Sequence, residues 1–70
     1  MEFLALDQAL RRLFDRHERQ GRVAEMRLFA GLEVKEMALH LGVSERTVKE
    51  DWRVARAWLL KEIAQGSASA

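Results

Sequence analysis

Four basic residues between positions 46 and 56 are spaced by three or four residues, which places them close together if this segment is helical. With an advance of about 100° per residue, Arg46 and Arg53 fall on one side together with Glu50, and Lys49 and Arg56 fall on a flank of the same face. Guanidinium and ammonium groups arranged in this way could donate hydrogen bonds to phosphate oxygens and to base edges in a DNA groove. The spacing therefore points to nucleic-acid binding.

A solvated helix face is the competing interpretation of the same segment. Glu45, Glu50 and Asp51 are interspersed among the cations, and Arg46 with Glu50 has the spacing of an ordinary i,i+4 ion pair. Charges mixed in this way are typical of any amphipathic helix that faces water. The face alone therefore does not establish DNA binding, and the decision depends on what precedes it in the chain.

No set of residues has the spacing of a catalytic or metal site. The chain has no cysteine, and His17 and His40 lie far apart in the sequence, so a shared metal site is not expected. Ser44 has no patterned His or Asp partner and is explained by helix capping. We expect no metal, no cofactor and no enzyme activity.

Composition indicates one all-helical domain. The chain has 70 residues, a net charge of +1, 49% hydrophobic and 33% charged residues, and no proline. This is the balance of a soluble folded domain, and without proline its helices can run uninterrupted. Charges interrupt every apolar run before the roughly 18 residues that a membrane span needs, and the lack of cysteine suits the reducing cytoplasm. We expect a cytoplasmic protein with no membrane contact.

Apolar periodicity predicts four helices in a domain that spans residues 1–64. The first covers about 4–14, the second 18–30 with Gly31 as a left-handed stop, the third 33–41, and the fourth about 45–64. Residues 65–70 are small and polar, and we expect them to form a flexible tail.

The third and fourth predicted helices are joined by three residues in a helix-turn-helix pattern. Gly42 tolerates the positive φ of the turn, Ser44 caps the fourth helix, and the small Ala38 allows the two helices to approach. The side chains expected to fill the angle between the helices are Met37, Leu41, Val43 and Val48. The buried side of the fourth helix is expected to carry Val48, Trp52, Ala55, Leu59 and Ile63. Because the cationic face begins just after this cap, we favour DNA binding over a merely solvated face.

A wider set of residues resembles region 4, the promoter-reading C-terminal domain of extracytoplasmic-function (ECF) bacterial sigma factors. The matching residues are Gly31-Leu32, Ala38, Leu41-Gly42-Val43-Ser44, Thr47-Val48-Lys49 and Asp51-Trp52-Arg53-Val54-Ala55-Arg56-Ala57-Trp58-Leu59. The resemblance covers residues 6–63. LuxR-type response regulators share the earlier segments but do not usually continue with the tryptophan-bracketed run, so the ECF family is preferred.

This resemblance implies that the domain reads the promoter minus-35 element with the N-terminal half of its fourth helix, while the β-flap of the RNA polymerase core holds it. Carried over residue by residue, the DNA contacts fall on Arg46, Thr47, Lys49, Glu50 and Arg53, with Arg56 on the flank of the same face and Arg27 and Lys35 as backbone contacts. Glu50 is suited to accept from cytosine N4 but repels phosphate.

Two positions depart from the family pattern. Glu33 stands where the family usually has a capping Ser or Thr, and His17-Glu18 replaces the usual Asp-Pro before the second helix. We therefore expect weakly capped starts for the second and third helices.

Nothing corresponds to region 2, so we expect an excised region 4 or a stand-alone relative. With a net charge near zero, few counterions would be released, so it should bind DNA weakly and in a salt-sensitive manner when isolated.

Phe3, Leu4 and Trp58 are the predicted partner-binding residues, since they could stay partly exposed. The β-flap, region 2 and an anti-sigma factor are the candidate partners, and we expect a monomer in isolation.

Two alternative functions remain open. One is a LuxR-type output domain, which would bind DNA as a dimer at two half-sites. The other is a protein-interaction module whose helix-turn-helix does not touch DNA, as the near-neutral charge and Glu50 allow.

Overall fold

A computed structural model describes residues 2–69, with side chains described for residues 4–65. Over this range the backbone forms four α-helices and no strand. The helices are α1 (Glu2–Arg16), α2 (Glu18–Leu28), α3 (Val34–Leu41) and α4 (Glu45–Ser69). The predicted all-α, four-helix fold is confirmed. Among the described residues, no helix combines the length and the apolar character that a membrane span requires.

The end of α4 lies beyond the position predicted for it. The helix is assigned to Ser69, whereas the sequence pattern placed its end near residue 64. Residues 66–70 lie outside the described side chains. The flexibility of the predicted tail at 65–70 stays a prediction.

A single non-helical residue, His17, separates α1 from α2. Its backbone is extended, and its Nδ1 accepts a long hydrogen bond of 3.4 Å from the Gln20 N–H. The imidazole of His17 therefore caps α2, because an imidazole nitrogen can accept where a carboxylate usually does. Since this hydrogen bond is long, the expected weak start of α2 stays a prediction. One turn later, a Cβ at Gly21 would lie 2.7 Å from Phe14 Cγ. The absence of a side chain at this position lets α2 pack closely onto α1.

The connection from α2 to α3 turns at Gly31, which has a φ of 67° as predicted for a left-handed stop. The helix itself ends at Leu28, slightly before the predicted end. At the start of α3, the Glu33 N–H donates to the Glu36 carboxylate at 2.9 Å. Glu36 thus acts as the N3 residue of a capping box, and whether the start of α3 is weak stays a prediction.

The core consists of two clusters that share α4. One cluster joins α1, α2 and α4 through Ala9, Leu10, Leu13, Ala24, Ala55 and Leu59. The other joins α2, α3 and α4 through Val23, Met37, Ala38 and Val48, with Leu41 and Val43 packed against them. Trp52 contacts both clusters. The predicted buried side of α4 is confirmed at Val48, Ala55 and Leu59, whereas Trp52 and Ile63 are half-buried against the clusters.

Candidate nucleic-acid interface

The turn between α3 and α4 fixes how α4 begins. Gly42 has a φ of 67°, and its N–H donates to the Ala38 carbonyl at 2.9 Å, which closes α3 with a residue that carries no Cβ penalty. The Ser44 hydroxyl then accepts from the Thr47 N–H at 3.1 Å. The predicted cap is confirmed, and it satisfies one of the free backbone donors at the start of α4.

The cations predicted to contact DNA lie on the outer side of α4. Arg46, Lys49, Arg53 and Arg56 are exposed, whereas Val48, Ala55 and Leu59 on the opposite side are buried. With a rise of 1.5 Å per residue, the four cations extend over about 15 Å of helix. An α-helix presented in this way can enter the major groove of B-DNA, which is about 12 Å wide.

Glu50 and Arg53 form an ion pair on this outer side. Arg53 Nη2 donates to Glu50 Oε2, and its Nε donates to Oε1 at 3.3 Å. The hydrogen bond from Arg53 lowers the pKa of Glu50 below its ordinary value, and Arg46 adds a weaker attraction. The same pair raises the pKa of Arg53. The sequence indicated Arg46 as the partner of Glu50, but the structure makes the hydrogen bonds to Arg53.

Thr47 takes part in the cap of α4. It is half-buried, and the Ser44 hydroxyl donates to its Oγ1 at 3.0 Å. The Thr47 hydroxyl keeps its own proton available to donate. Its predicted role as a DNA contact is compatible with this geometry and stays a prediction.

Arg27 and Lys35, the predicted contacts to the DNA backbone, lie on α2 and α3. The Arg27 Nη1 donates to the Leu32 carbonyl at 3.2 Å. This hydrogen bond links α2 to the loop before α3, and the Arg27 side chain stays exposed. Lys35 is exposed on the first turn of α3. Whether these two cations contact phosphate stays a prediction.

Asp51 on α4 is buried, contrary to the prediction from the sequence. It was counted among the charges of the outer face, but it is only 4% exposed and is paired with Arg19 of α2. The Arg19 Nε lies 2.5 Å from Asp51 Oδ2, and the bond raises the pKa of Arg19. The spacing could have predicted the burial of Asp51, because it lies three residues after Val48 and four before Ala55, on the buried side of α4.

The predicted partner-binding residues have different surroundings. Leu4 is exposed at the start of α1, and the side chain of Phe3 lies outside the described residues. Trp58 is half-buried, and the guanidinium carbon of Arg16 lies 5.4 Å from the centre of its ring. This cation–π contact covers part of the Trp58 ring and leaves less of it available to a partner.

A more continuous apolar surface lies elsewhere, in a groove between α1, α2 and α4. Its lining consists of Leu6, Leu28, Trp52, Arg56, Leu59, Leu60 and Ile63. Leu28 and Leu60 are large exposed apolar side chains. We refer to this feature as the α4 groove. Spacing in the sequence does not reveal this groove, because its members come from three helices and share no periodicity in the chain.

Comparison with known families decides the classification. The family model described as ECF sigma factor matches residues 1–65. The chain belongs to the ECF sigma factor family. No curated protein and no solved structure matches it. The match is wider than the segment from 6 to 63 on which the resemblance was based.

ECF sigma factors act in transcription initiation, and their partners are RNA polymerase and promoter DNA. For this ECF sigma factor the match favours the sigma interpretation over a LuxR-type output domain. A four-helix chain with cations on the outer side of α4 is consistent with region 4.

Proposed function

We propose that this ECF sigma factor recognises the promoter minus-35 element through the outer side of α4. The observation that carries the proposal is the row of exposed cations at Arg46, Lys49, Arg53 and Arg56, which begins directly after the capped turn at Gly42–Ser44. In this arrangement α3 and α4 act as a helix-turn-helix, with α4 in the major groove and α3 across the DNA backbone.

The proposed contacts follow from the chemistry of each side chain. An arginine can donate two parallel hydrogen bonds to guanine O6 and N7, which suits Arg46 and Arg53, and Lys49 and Arg56 suit phosphate or guanine. Glu50 can accept from cytosine N4. Because Glu50 is hydrogen-bonded to the Arg53 guanidinium, the Arg53 side chain is already ordered. It therefore loses less conformational entropy on binding DNA. Arg27 and Lys35 are proposed to contact phosphates, with Thr47 as an additional polar contact.

Affinity in isolation is expected to be low. The net charge of +1 limits the number of counterions that binding can release, and each phosphate contact contributes a slope of about −0.9 in log K against log salt. Attachment to RNA polymerase would raise the effective concentration of the domain at the promoter, so weak recognition suffices.

The test is a salt titration of binding to a duplex with the minus-35 element of a promoter that depends on this protein, compared with a scrambled duplex. We expect a preference for the promoter duplex that weakens as salt rises. In the Arg53→Ala variant this preference should fall by about tenfold, which corresponds to the loss of one bidentate base contact. Fluorescence anisotropy with labelled duplexes measures both quantities.

Arg11→Ala is the matched control for this titration. Arg11 is also an exposed arginine in an ion pair on its own helix, with Asp7 at 3.3 Å, but it lies on α1. The control should keep the preference of the unmodified protein. Equal loss in both variants, or a tight complex with random DNA that is insensitive to salt, would contradict the proposal.

The α4 groove is the proposed attachment site for the β-flap of the RNA polymerase core. It offers exposed apolar side chains, Leu28 and Leu60, of the kind that a partner helix can bury. Arg56 lies at the edge of the groove and also belongs to the cationic row. An anti-sigma factor that covered the groove would compete with the polymerase.

Substitution of Leu60 by aspartate should weaken attachment to polymerase. A carboxylate in the groove would have to be desolvated, so capture of the polymerase core by the immobilised domain should fall by about tenfold or more. Leu39→Asp is the matched control, because Leu39 is 79% exposed on α3 and lies outside the groove lining. Equal capture by both variants, measured by surface plasmon resonance, would show that the polymerase attaches elsewhere.

A further inference from the structure

Three arginines of α1 and α2 contact one stripe of α4. Arg12 pairs with Glu62 at 3.0 Å, Arg16 lies over the ring of Trp58, and Arg19 pairs with Asp51. At about 100° per residue, Asp51, Trp58 and Glu62 lie within about 40° of one another around the helix. This stripe separates the buried side of α4 from its outer side. The Arg19–Asp51 contact is the one that lies level with the proposed DNA-reading turns.

The Arg19–Asp51 pair adds a directional contact to the apolar packing at this level. The fully buried side chains of α2 and α4 nearby are small, with Val23 and Ala24 on α2 and Val48 and Ala55 on α4, and the half-buried Trp52 packs against both clusters. Contacts between small apolar groups are non-directional. A guanidinium that donates through two nitrogens to two carboxylate oxygens has a fixed geometry. Arg19 approaches this arrangement, with Nε 2.5 Å from Oδ2 and Nη2 3.4 Å from Oδ1 of Asp51.

Rotation of α4 matters because its reading side chains lie at the edge of the helix. A rotation of about 20° moves an atom at the outer radius of roughly 5–6 Å by about 2 Å. Binding sites need their groups held to within about 0.5 Å of the productive geometry. Asp51 directly follows Glu50 and lies two residues before Arg53, so a constraint on Asp51 is transmitted to both through the rigid helix.

We propose that Arg19 is a positioning residue for base reading: its fork on the buried Asp51 carboxylate sets the rotation of α4 in the DNA groove. This inference rests on the proposed function. The Asp51 carboxylate is buried while Arg19 stays partly exposed, and the cost of removing this carboxylate from water offsets much of its attraction to the arginine. Orientation therefore gives a physical reason for a charge at position 51. Arg19 itself does not have to touch DNA.

The decisive variant is Arg19→Met combined with Asp51→Leu, which removes the fork without leaving a buried charge unpaired. We expect this pair to fold and to keep salt-dependent binding to scrambled DNA. Its preference for the minus-35 duplex should fall by about tenfold. The matched control is Arg12→Met with Glu62→Leu, which removes another arginine contact to α4 about 14 Å from Arg53 along the helix. The control should keep the preference.

A distance measurement tests the rotation without DNA. The chain has no cysteine, so spin labels can be attached at cysteines introduced at the exposed positions Arg22 and Ala57. Electron–electron double resonance should give a narrow distance distribution in the parent and a distribution shifted or broadened by about 2 Å or more in the variant without the fork. Arg19→Lys keeps the charge but not the fork, and should fold and give an intermediate result in both measurements.

An unchanged distance distribution in the variant without the fork would overturn the inference whatever the DNA result. A broadened distribution with an unchanged preference would overturn it as well, since rotation would then not govern reading. If the parent shows no preference for any promoter duplex, the proposed function fails, and the distance measurement still decides whether Arg19 positions α4. If the variant without the fork does not fold, the DNA preference and the distance distribution are both measured on Arg19→Lys. Results like those of the parent would then overturn the inference.

Discussion

Replacement of Met37 by alanine should lower the free energy of unfolding by about 2–5 kcal/mol. Met37 is fully buried between α2, α3 and α4, so truncation removes buried apolar surface and leaves a cavity. At about 0.05–0.15 kcal/mol per residue, a chain of this length has roughly 4–10 kcal/mol of stability in total. The substitution would therefore use up a large part of it, and urea denaturation followed by circular dichroism measures the change.

Leu39→Ala provides the matched control, because Leu39 lies on the same helix but is 79% exposed. Its effect should stay within about 0.5 kcal/mol. A similar loss in both variants would mean that α3 is held by something other than the packing of Met37. The consequence for function is direct, because α3 must stay attached to α4 for the turn at Gly42 to direct α4 outward.

Charge reversal at two positions of the cationic row should abolish promoter binding. In the combined Arg46→Glu and Arg53→Glu variant, two attractions to DNA become repulsions, so affinity should fall by about 100-fold or more and the salt dependence should weaken. Arg53→Glu also breaks the pair with Glu50 and places two carboxylates on adjacent turns. Polymerase capture should stay close to that of the parent, because neither position lines the α4 groove.

The matched control reverses Arg11 and Arg22 to glutamate. Both are exposed arginines in i,i+4 ion pairs, with Asp7 and Glu18 respectively, and they lie on α1 and α2. The net charge changes by the same amount, so a loss confined to the α4 variant isolates the position of the charge from its total. If both double variants bind promoter DNA alike, the domain is better explained as a protein-interaction module that uses the α4 groove.

Local sequence rules were sufficient for the turn that begins α4. Glycine at position 42 and serine at position 44 act through their own backbone and the next helical turn, so no distant residue is needed to interpret them. The same holds for the stripe of Val48, Ala55 and Leu59, which the spacing alone predicts. The outward position of the four cations then follows, because the opposite side of α4 packs into the core.

The caps of α2 and α3 show where residue preferences alone were not sufficient. A histidine and a glutamate are poor matches to the usual capping residues, yet His17 accepts from the Gln20 N–H and the Glu36 carboxylate accepts from the Glu33 N–H. A table of preferences describes average behaviour, whereas a single hydrogen bond depends on the rotamer that the surroundings allow.

The sequence by itself determined the four helices, the turn at Gly42–Ser44 and the two sides of α4, because these depend on short-range periodicity and backbone chemistry. Only the tertiary structure decided that Asp51 is buried against Arg19, that Arg53 rather than Arg46 holds Glu50, and that Leu6, Leu28 and Leu60 form one groove. The physical reason is the same for Asp51 and the groove, since their partners lie on other helices and are brought together by packing. For Glu50, both arginines were within reach along the helix, and side-chain geometry made the choice.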